Sequence, residues 1–286
     1  MTGARNGAGP LREAAFFDLD RTLMAGSSGI FFAKAAFQTG MITRSRMARD
    51  LYENLRFRLR GSTDDRADAV RRRVGEMIAG VPVRSLARLS PQVLAGVLPR
   101  LYPQMLARAY AHQDAGRLVY IVTAASQEMA DLLALVLAFD GGLGSRSEIL
   151  DGCYTGRPAG PFNYREGKVV SMRELAERER IDLSASYAYS DSESDLPMLR
   201  AVGHPVVVNP DPVLARIAAQ EQWEVLRLDR LGRRLKMLAA LISVGAMGGL
   251  GGILRERVAA RPGTRALQSR SAGQINPGKT RRGARR

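Results

Sequence analysis

The chain reads as an α/β protein: a doubly wound, mostly parallel sheet with an all-helical domain inserted after the first strand. Three observations lead there. Short apolar runs alternate with helical stretches, the pattern of parallel sheets wound with crossover helices. Three of the runs end in polar loops, at Asp18, Thr123 and Asp191, and a sheet of this class brings such ends to one side, where ligands bind. Between Thr22 and Leu118 no convincing strand is legible, so that stretch forms a separate helical lid.

The elements follow in order. Residues Met1–Pro10 are rich in Gly and Ala, carry no apolar core segment and so show no signal peptide; they are expected to be disordered. Ala14–Phe17 is a short buried strand, and Asp18 and Asp20 follow at alternate positions. Carboxylates are costly at the end of a buried strand unless a cation or a reaction needs them there. Gly26-Ser27-Ser28-Gly29 is a loop that can start a helix at Ser28. From Ile30 to about Pro103 the pattern is helical, with Asp64 or Asp65 placed to cap one helix. Leu118–Thr123 is a near-continuous apolar run suited to a strand buried on both faces. A helix from Gln127 to Phe139 follows, then a strand at Glu148–Leu150 and, between Gly152 and Gly156, Cys153–Thr155 as part of a small hairpin. Lys168 opens a charged helix, Tyr187–Ser190 is a strand, and Leu196–Val202 is a short helix. Pro205–Val208 is a further strand, Asp211–Gln222 a helix, and Glu224–Leu228 an edge strand. The predicted domains are a core over 11–24 and 115–230, a helical domain over 25–114, an apolar segment over 231–257 and a basic disordered tail over 258–286.

Composition narrows the function. The 286 residues suit one or two domains. The single cysteine, Cys153, excludes an internal disulfide and fits the cytoplasm. The net charge of +15 is uneven: Arg255–Arg286 holds ten basic residues and one acid, so nine of those charges belong to the tail. Met237–Leu254 is uncharged, flanked by Arg and Lys, and close to the length of a membrane span. Its five glycines dilute that signal and create two GxxxG spacings. The segment therefore reads either as contact with an anionic membrane surface or as a helix and loop packed on the body. No specific nucleic-acid partner is expected, although the tail can bind polyanions loosely.

The polar strand ends assemble Asp18, Asp20, Thr123, Lys168, Asp191 and Asp195. Carboxylates that converge repel unless a cation sits among them, and an all-oxygen donor set favours Mg²⁺. Lysine, a threonine hydroxyl and a helix start after Thr123 make an anion cradle. A hard cation beside an anion cradle and a free carboxylate suits phosphoryl transfer, with one carboxylate as nucleophile and another as acid and base.

Asp18-Leu19-Asp20-Arg21-Thr22, then Thr123, Lys168 and Asp191-Ser192-Glu193-Ser194-Asp195 resemble, in order, the four motifs of the haloacid dehalogenase superfamily. The helical insert after the first motif is similar to the cap of its phosphoserine-phosphatase-like subfamily, IB. The resemblance spans about Ala14–Leu228 and implies a Rossmann-like core. It implies that Asp18 is nucleophile and metal ligand. Asp20 would be general acid and base, and would lend the metal its backbone carbonyl. Thr22 would brace the Asp18 loop, and Thr123, the Ala124 N–H and Lys168 would hold the phosphoryl group. Asp191 would complete the Mg²⁺ site, steadied by Asp195. Ser194 stands where phosphoserine phosphatases commonly have asparagine, and Arg21 where many members have glycine. An arginine fits there without strain only if its φ stays negative.

Those enzymes also resemble one another in a glutamate after the first motif that receives the serine ammonium. Here the matching stretch, Ala25-Gly26-Ser27-Ser28, has no acid. The expectation is therefore a phosphomonoester phosphatase acting through an aspartyl-phosphate on a small phosphorylated substrate other than phosphoserine. Two rivals are a membrane-associated lipid-phosphate phosphatase and a non-catalytic basic protein binding membrane or nucleic acid. His112, His204 and Cys153 lie outside the motifs and are assigned to packing.

Overall fold

Four small or aromatic residues and an aspartate set the centre of the molecule. In the computed structural model, which describes residues 10–40, 71–72 and 74–228, strand β1 (Ala14–Asp18) is buried along its whole length. It pairs in parallel with β2 (Leu118–Ser126) on one side and β6 (Tyr187–Ser190) on the other. Beyond β2 lies β3 (Gly141–Ser145); beyond β6 lie β7 (His204–Val208) and β8 (Glu224–Leu226). All pairings in this six-stranded sheet, ordered β3-β2-β1-β6-β7-β8, are parallel. The chain leaves β1 and returns on both of its sides, so the crevice at the carboxyl end of β1 is a topological switch point.

Alternation along the strands builds a core on each face. Ala15, Phe17, Val119, Ile121, Tyr189, Val206 and Val208 share one cluster with the helical segment's Val93, Val97 and Met105. Ala14, Phe16, Leu118, Tyr120, Val122, Ala188 and Val207 share the other with Met172, Met198 and Leu214. Phe17 and Tyr189 stack with centroids 4.3 Å apart, tying β1 to β6 across the first face.

The described part of the segment between β1 and β2 is helical. It comprises α1 (Ser28–Gln38), residues 74–78, α2 (Val83–Ala87), α3 (Ser90–Val97) and α4 (Pro103–Asp114). Its entry and exit are stitched together: Tyr102 N donates to Leu23 O (2.9 Å) and Ala25 N to Arg100 O (2.8 Å). After α5 (Gln127–Val136) and β3, a hairpin of β4 (Ser147–Leu150) and β5 (Cys153–Pro158) joins this segment through Gly80 N to Tyr154 O and Tyr154 N to Val81 O. The rest is α6 (Glu166–Glu179), α7 (Leu196–Arg200) and α8 (Pro212–Gln220), the last capped by Asp211.

Three expectations change. The helix read to Phe139 ends at Val136, and β3, unread in the glycine-rich stretch after it, is an edge strand. Strand β2 continues through Thr123 to Ser126. The charged helix begins at Glu166, which puts Lys168 inside its first turn. The described residues belong to one compact unit, Met1–Asp229, and the second unit, Arg230–Arg286, lies outside them, as do Met1–Gly9, Asp64 and Asp65. The apolar segment 237–254 and the basic tail therefore lie outside the described residues too. Among the described residues no helix is long and apolar enough to cross a membrane.

Candidate active site

The loop after β1 closes on itself. Leu23 N donates to the carbonyls of Asp18 (3.2 Å) and Leu19 (3.1 Å), and Arg21 N donates to that of Gly26 (3.0 Å). This tight turn holds Arg21 at φ 62°. The negative φ that an unstrained arginine requires is not met; the left-handed region costs a side chain about 1–2 kcal/mol. Arg21 reaches across to β6's loop, its Nε 2.9 Å from Asp191 Oδ2.

Asp18 is paired with the first turn of α6. Lys168 Nζ donates to Asp18 Oδ1 at 2.6 Å and to Asp195 Oδ2 at 2.7 Å. Ser190 Oγ adds a second donor, 2.7 Å from Asp195 Oδ2. Asp18, Lys168, Asp191 and Asp195 are all buried. Asp20 is used differently. Its Oδ1 accepts from Ser28 N at 2.8 Å and its Oδ2 from Ser27 Oγ at 2.9 Å. The carboxylate thus sits at the amino end of α1, where the exposed N–H groups and the helix dipole favour a negative charge.

Thr123 is buried one residue past Val122, the register partner of Asp18. Its Oγ1 accepts from Ala125 N at 3.2 Å, and Ala124 O accepts from Ser145 Oγ at 2.9 Å. Ser194 stays local, its Oγ 3.0 Å from Ser192 Oγ. Thr22 is fully buried, but its hydroxyl meets no hydrogen-bond partner among the described residues, so the expected brace is not made by that group.

Asp18 and Asp195 share one buried ammonium beside a third buried carboxylate, Asp191, and the electrostatics follow. Burial pushes the Asp18 carboxyl up to about 7; Lys168 opposes the shift, while Asp195 and Asp191 add to it. Burial likewise pushes Asp191 up to about 6 against the pull of Arg21. Burial disfavours the charged form of Lys168, but Asp18 and Asp195 outweigh it and raise its pKa. The ammonium therefore stays charged, and the deficit of positive charge falls on the acids.

Several residues that matter here escaped the motif reading. Asn163, fully buried, donates from Nδ2 to Thr123 O (2.8 Å) and Leu143 O (2.7 Å), tying the two strand ends together. Ser27, Ser28 and Ser190 hold the acids. The polar turn Gly26–Gly29 and the serine before Asp191 were visible as composition only; nothing marks Asn163. A cavity of about 500 Å³ beside β3 is lined by Arg12, Tyr120, Gln127 and Arg146 among others, and none of the motif acids enters it.

An aspartate pair at the switch point, a buried lysine and a second acidic loop on one edge of a parallel sheet define a hydrolase of the haloacid dehalogenase type. Residues 15–200 match the haloacid dehalogenase-like hydrolases, and the chain belongs to that family. It is a phosphatase of the family, and several of its relatives carry that activity in their names. A probable phosphatase of Mycobacterium tuberculosis is 38% identical over 220 residues, covering 77% of this chain and 76% of the relative. Phosphoserine phosphatase SerB1 of the same organism is 35% identical over 243 residues, covering 84% and 79%. Among solved structures, a protein of unknown function from Bordetella pertussis Tohama I superposes with a TM-score of 0.67 at 30% identity, over 77% of this chain and all of the other.

Proposed function

We propose that this phosphatase is a Mg²⁺-dependent phosphomonoesterase that works through a phosphate ester on Asp18 and acts on a small substrate other than phosphoserine. The observation that carries the reading is the buried Asp18–Lys168–Asp195 chain, 2.6 and 2.7 Å long, beside an equally buried Asp191. The residues fit a hard divalent ion. The carboxylates of Asp18 and Asp191 and the backbone carbonyl of Asp20 are oxygen donors, without thiolate or imidazole. Among the described residues no group of three or more His, Cys, Asp and Glu side chains is arranged around a metal-sized point. The Asp20 donor would be a backbone carbonyl, so Asp18, Asp191 and that carbonyl would be the residues that hold the ion. When bound, the ion offsets charge on the phosphoryl oxygens.

The chain's own residues supply the rest. A carboxylate oxygen of Asp18 attacks phosphorus, and the bond to the leaving oxygen breaks. Asp20 gives that oxygen its proton, then takes one from the water that cleaves the acyl phosphate and frees inorganic phosphate. Lys168, Thr123 and the Ala124 N–H hold the phosphoryl oxygens, and Asp195 keeps Lys168 in line. The described helices between Ser28 and Asp114 serve as part of the cap that shapes the leaving-group pocket.

The substrate argument is one of charge. A serine ammonium needs a carboxylate partner. The stretch Ala25–Ser28 has none, and Ser27 and Ser28 are engaged with Asp20. A relative's name, phosphoserine phosphatase, therefore does not settle the substrate here. The test is phosphate release from p-nitrophenyl phosphate and from phosphoserine, with Mg²⁺ and with chelator. Wild type should turn over the aryl ester only with Mg²⁺, and phosphoserine poorly; Asp18→Asn should release nothing. Equal release by both proteins refutes the reading.

A further inference from the structure

Arg21 is the residue in the site that the reaction does not use. It directly follows the second motif aspartate, Asp20, in a left-handed conformation at φ 62° that glycine would adopt freely. The turn imposes that conformation through Arg21 N to Gly26 O, at 3.0 Å. The side chain then crosses from the β1 loop to the β6 loop and sets Nε 2.9 Å from Asp191 Oδ2. The two partners differ sharply in solvent access: 60% of the Arg21 side chain is exposed against 5% of Asp191. Lys168, the other cation among these acids, is only 3% exposed.

That contrast separates two kinds of cation. Lys168 is enclosed by Asp18 and Asp195 and cannot leave without stranding buried charge. Arg21 is mostly in water, so its release exchanges one weak, salt-screened contact for hydration. A buried carboxylate such as Asp191 still needs a positive neighbour whenever no other ion is present.

We infer that Arg21 is a displaceable counter-cation: it covers Asp191 until a divalent ion takes that carboxylate, and so weakens the protein's apparent affinity for the ion. The inference rests on the Mg²⁺ reading above. Arg21 is a positioning residue acting through Asp191, and its effect follows from competition. If the ion-competent state is a minor fraction, the apparent dissociation constant rises by the inverse of that fraction. An exposed pair of this kind corresponds to about a fivefold effect.

The experiment is calorimetric titration of Mg²⁺ into the chelator-stripped full chain, with no substrate present. Three proteins are compared: wild type, Arg21→Asn and Arg21→Lys. Asparagine tolerates the left-handed conformation and removes the charge; lysine keeps the charge and the strain. Arg21→Asn should bind Mg²⁺ about fivefold more tightly than wild type, Arg21→Lys within about twofold of it, and the Asn advantage should shrink as salt rises. Unchanged or weaker binding by Arg21→Asn overturns the inference while leaving the Mg²⁺ reading in place. No binding by any of the three overturns the Mg²⁺ reading, and the inference with it.

Discussion

Replacing Lys168 by methionine tests the charge balance of the site most severely. Methionine keeps the length and apolar bulk and deletes the ammonium. In the wild type that ammonium lies 2.6 Å from Asp18 Oδ1 and 2.7 Å from Asp195 Oδ2, with its side chain 3% exposed. Removing one partner of a buried pair leaves the other charge uncompensated, which costs about 3–5 kcal/mol. For a domain of this size each kcal/mol moves Tm by about 2–4 °C, so the variant should melt about 6–20 °C lower at pH 8. The sign of its pH dependence follows from Asp18, whose folded pKa is raised to about 7 by burial even with Lys168 present. A group raised in the fold contributes stability at low pH and loses it as pH rises through the folded value. Without Lys168 that value climbs further, so the deficit should be smaller at pH 5 than at pH 8. Urea denaturation in chelator at both pH values measures it. A deficit under about 1 kcal/mol at pH 8, or a larger one at pH 5, would falsify the charge count.

Two further outcomes are expected. Asp20→Asn should keep the cap on α1, because asparagine also accepts from Ser28 N, so the Tm should change little while kcat falls about 10²- to 10⁴-fold; equal losses of stability and activity would mean Asp20 is structural. His112 is buried, with a ring nitrogen 2.8 Å from Tyr189 Oη, and burial, then Arg117 and Arg108, lowers its pKa to about 4. Its folded value lies below the unfolded one, so its contribution is present above about pH 6.5 and is lost as pH falls toward 4. His112→Phe should flatten that loss by about 1–2 kcal/mol in urea midpoints; an unchanged slope would place the acid sensitivity elsewhere.

The acidic edge of the sheet was legible because its central strands are apolar until a short polar run breaks them. Phe16-Phe17-Asp18 and Tyr189-Ser190-Asp191 announce both the strand and its acidic end. Strand β3 was not legible, because Gly141, Gly142 and Gly144 lack the side chains that mark strands. Their reason is packing: a Cβ on Gly142 would lie 2.4 Å from the Ala130 carbonyl carbon, and one on Gly144 2.6 Å from Gln127 Cα. Those approaches arise only once α5 lies on the sheet. Arg21's left-handed φ was posed as a condition by the sequence and decided by the turn's closing hydrogen bond. Asn163 had no local signal, since its partners, the carbonyls of Thr123 and Leu143, come from strands 40 and 20 residues away. His112, assigned to packing, lies against Phe17 and Tyr187, and Cys153 is a half-buried residue of the hairpin.

The fate of the phosphate after it leaves the substrate tests the mechanism most directly. Wild type mixed with a labelled phosphomonoester and Mg²⁺, then quenched in acid during turnover, should carry a phosphoryl label that hydroxylamine removes. Peptide mapping should place that label on Asp18, and Asp18→Asn should carry none. Steady turnover with no trapped label, or a label on any other residue, contradicts the mechanism.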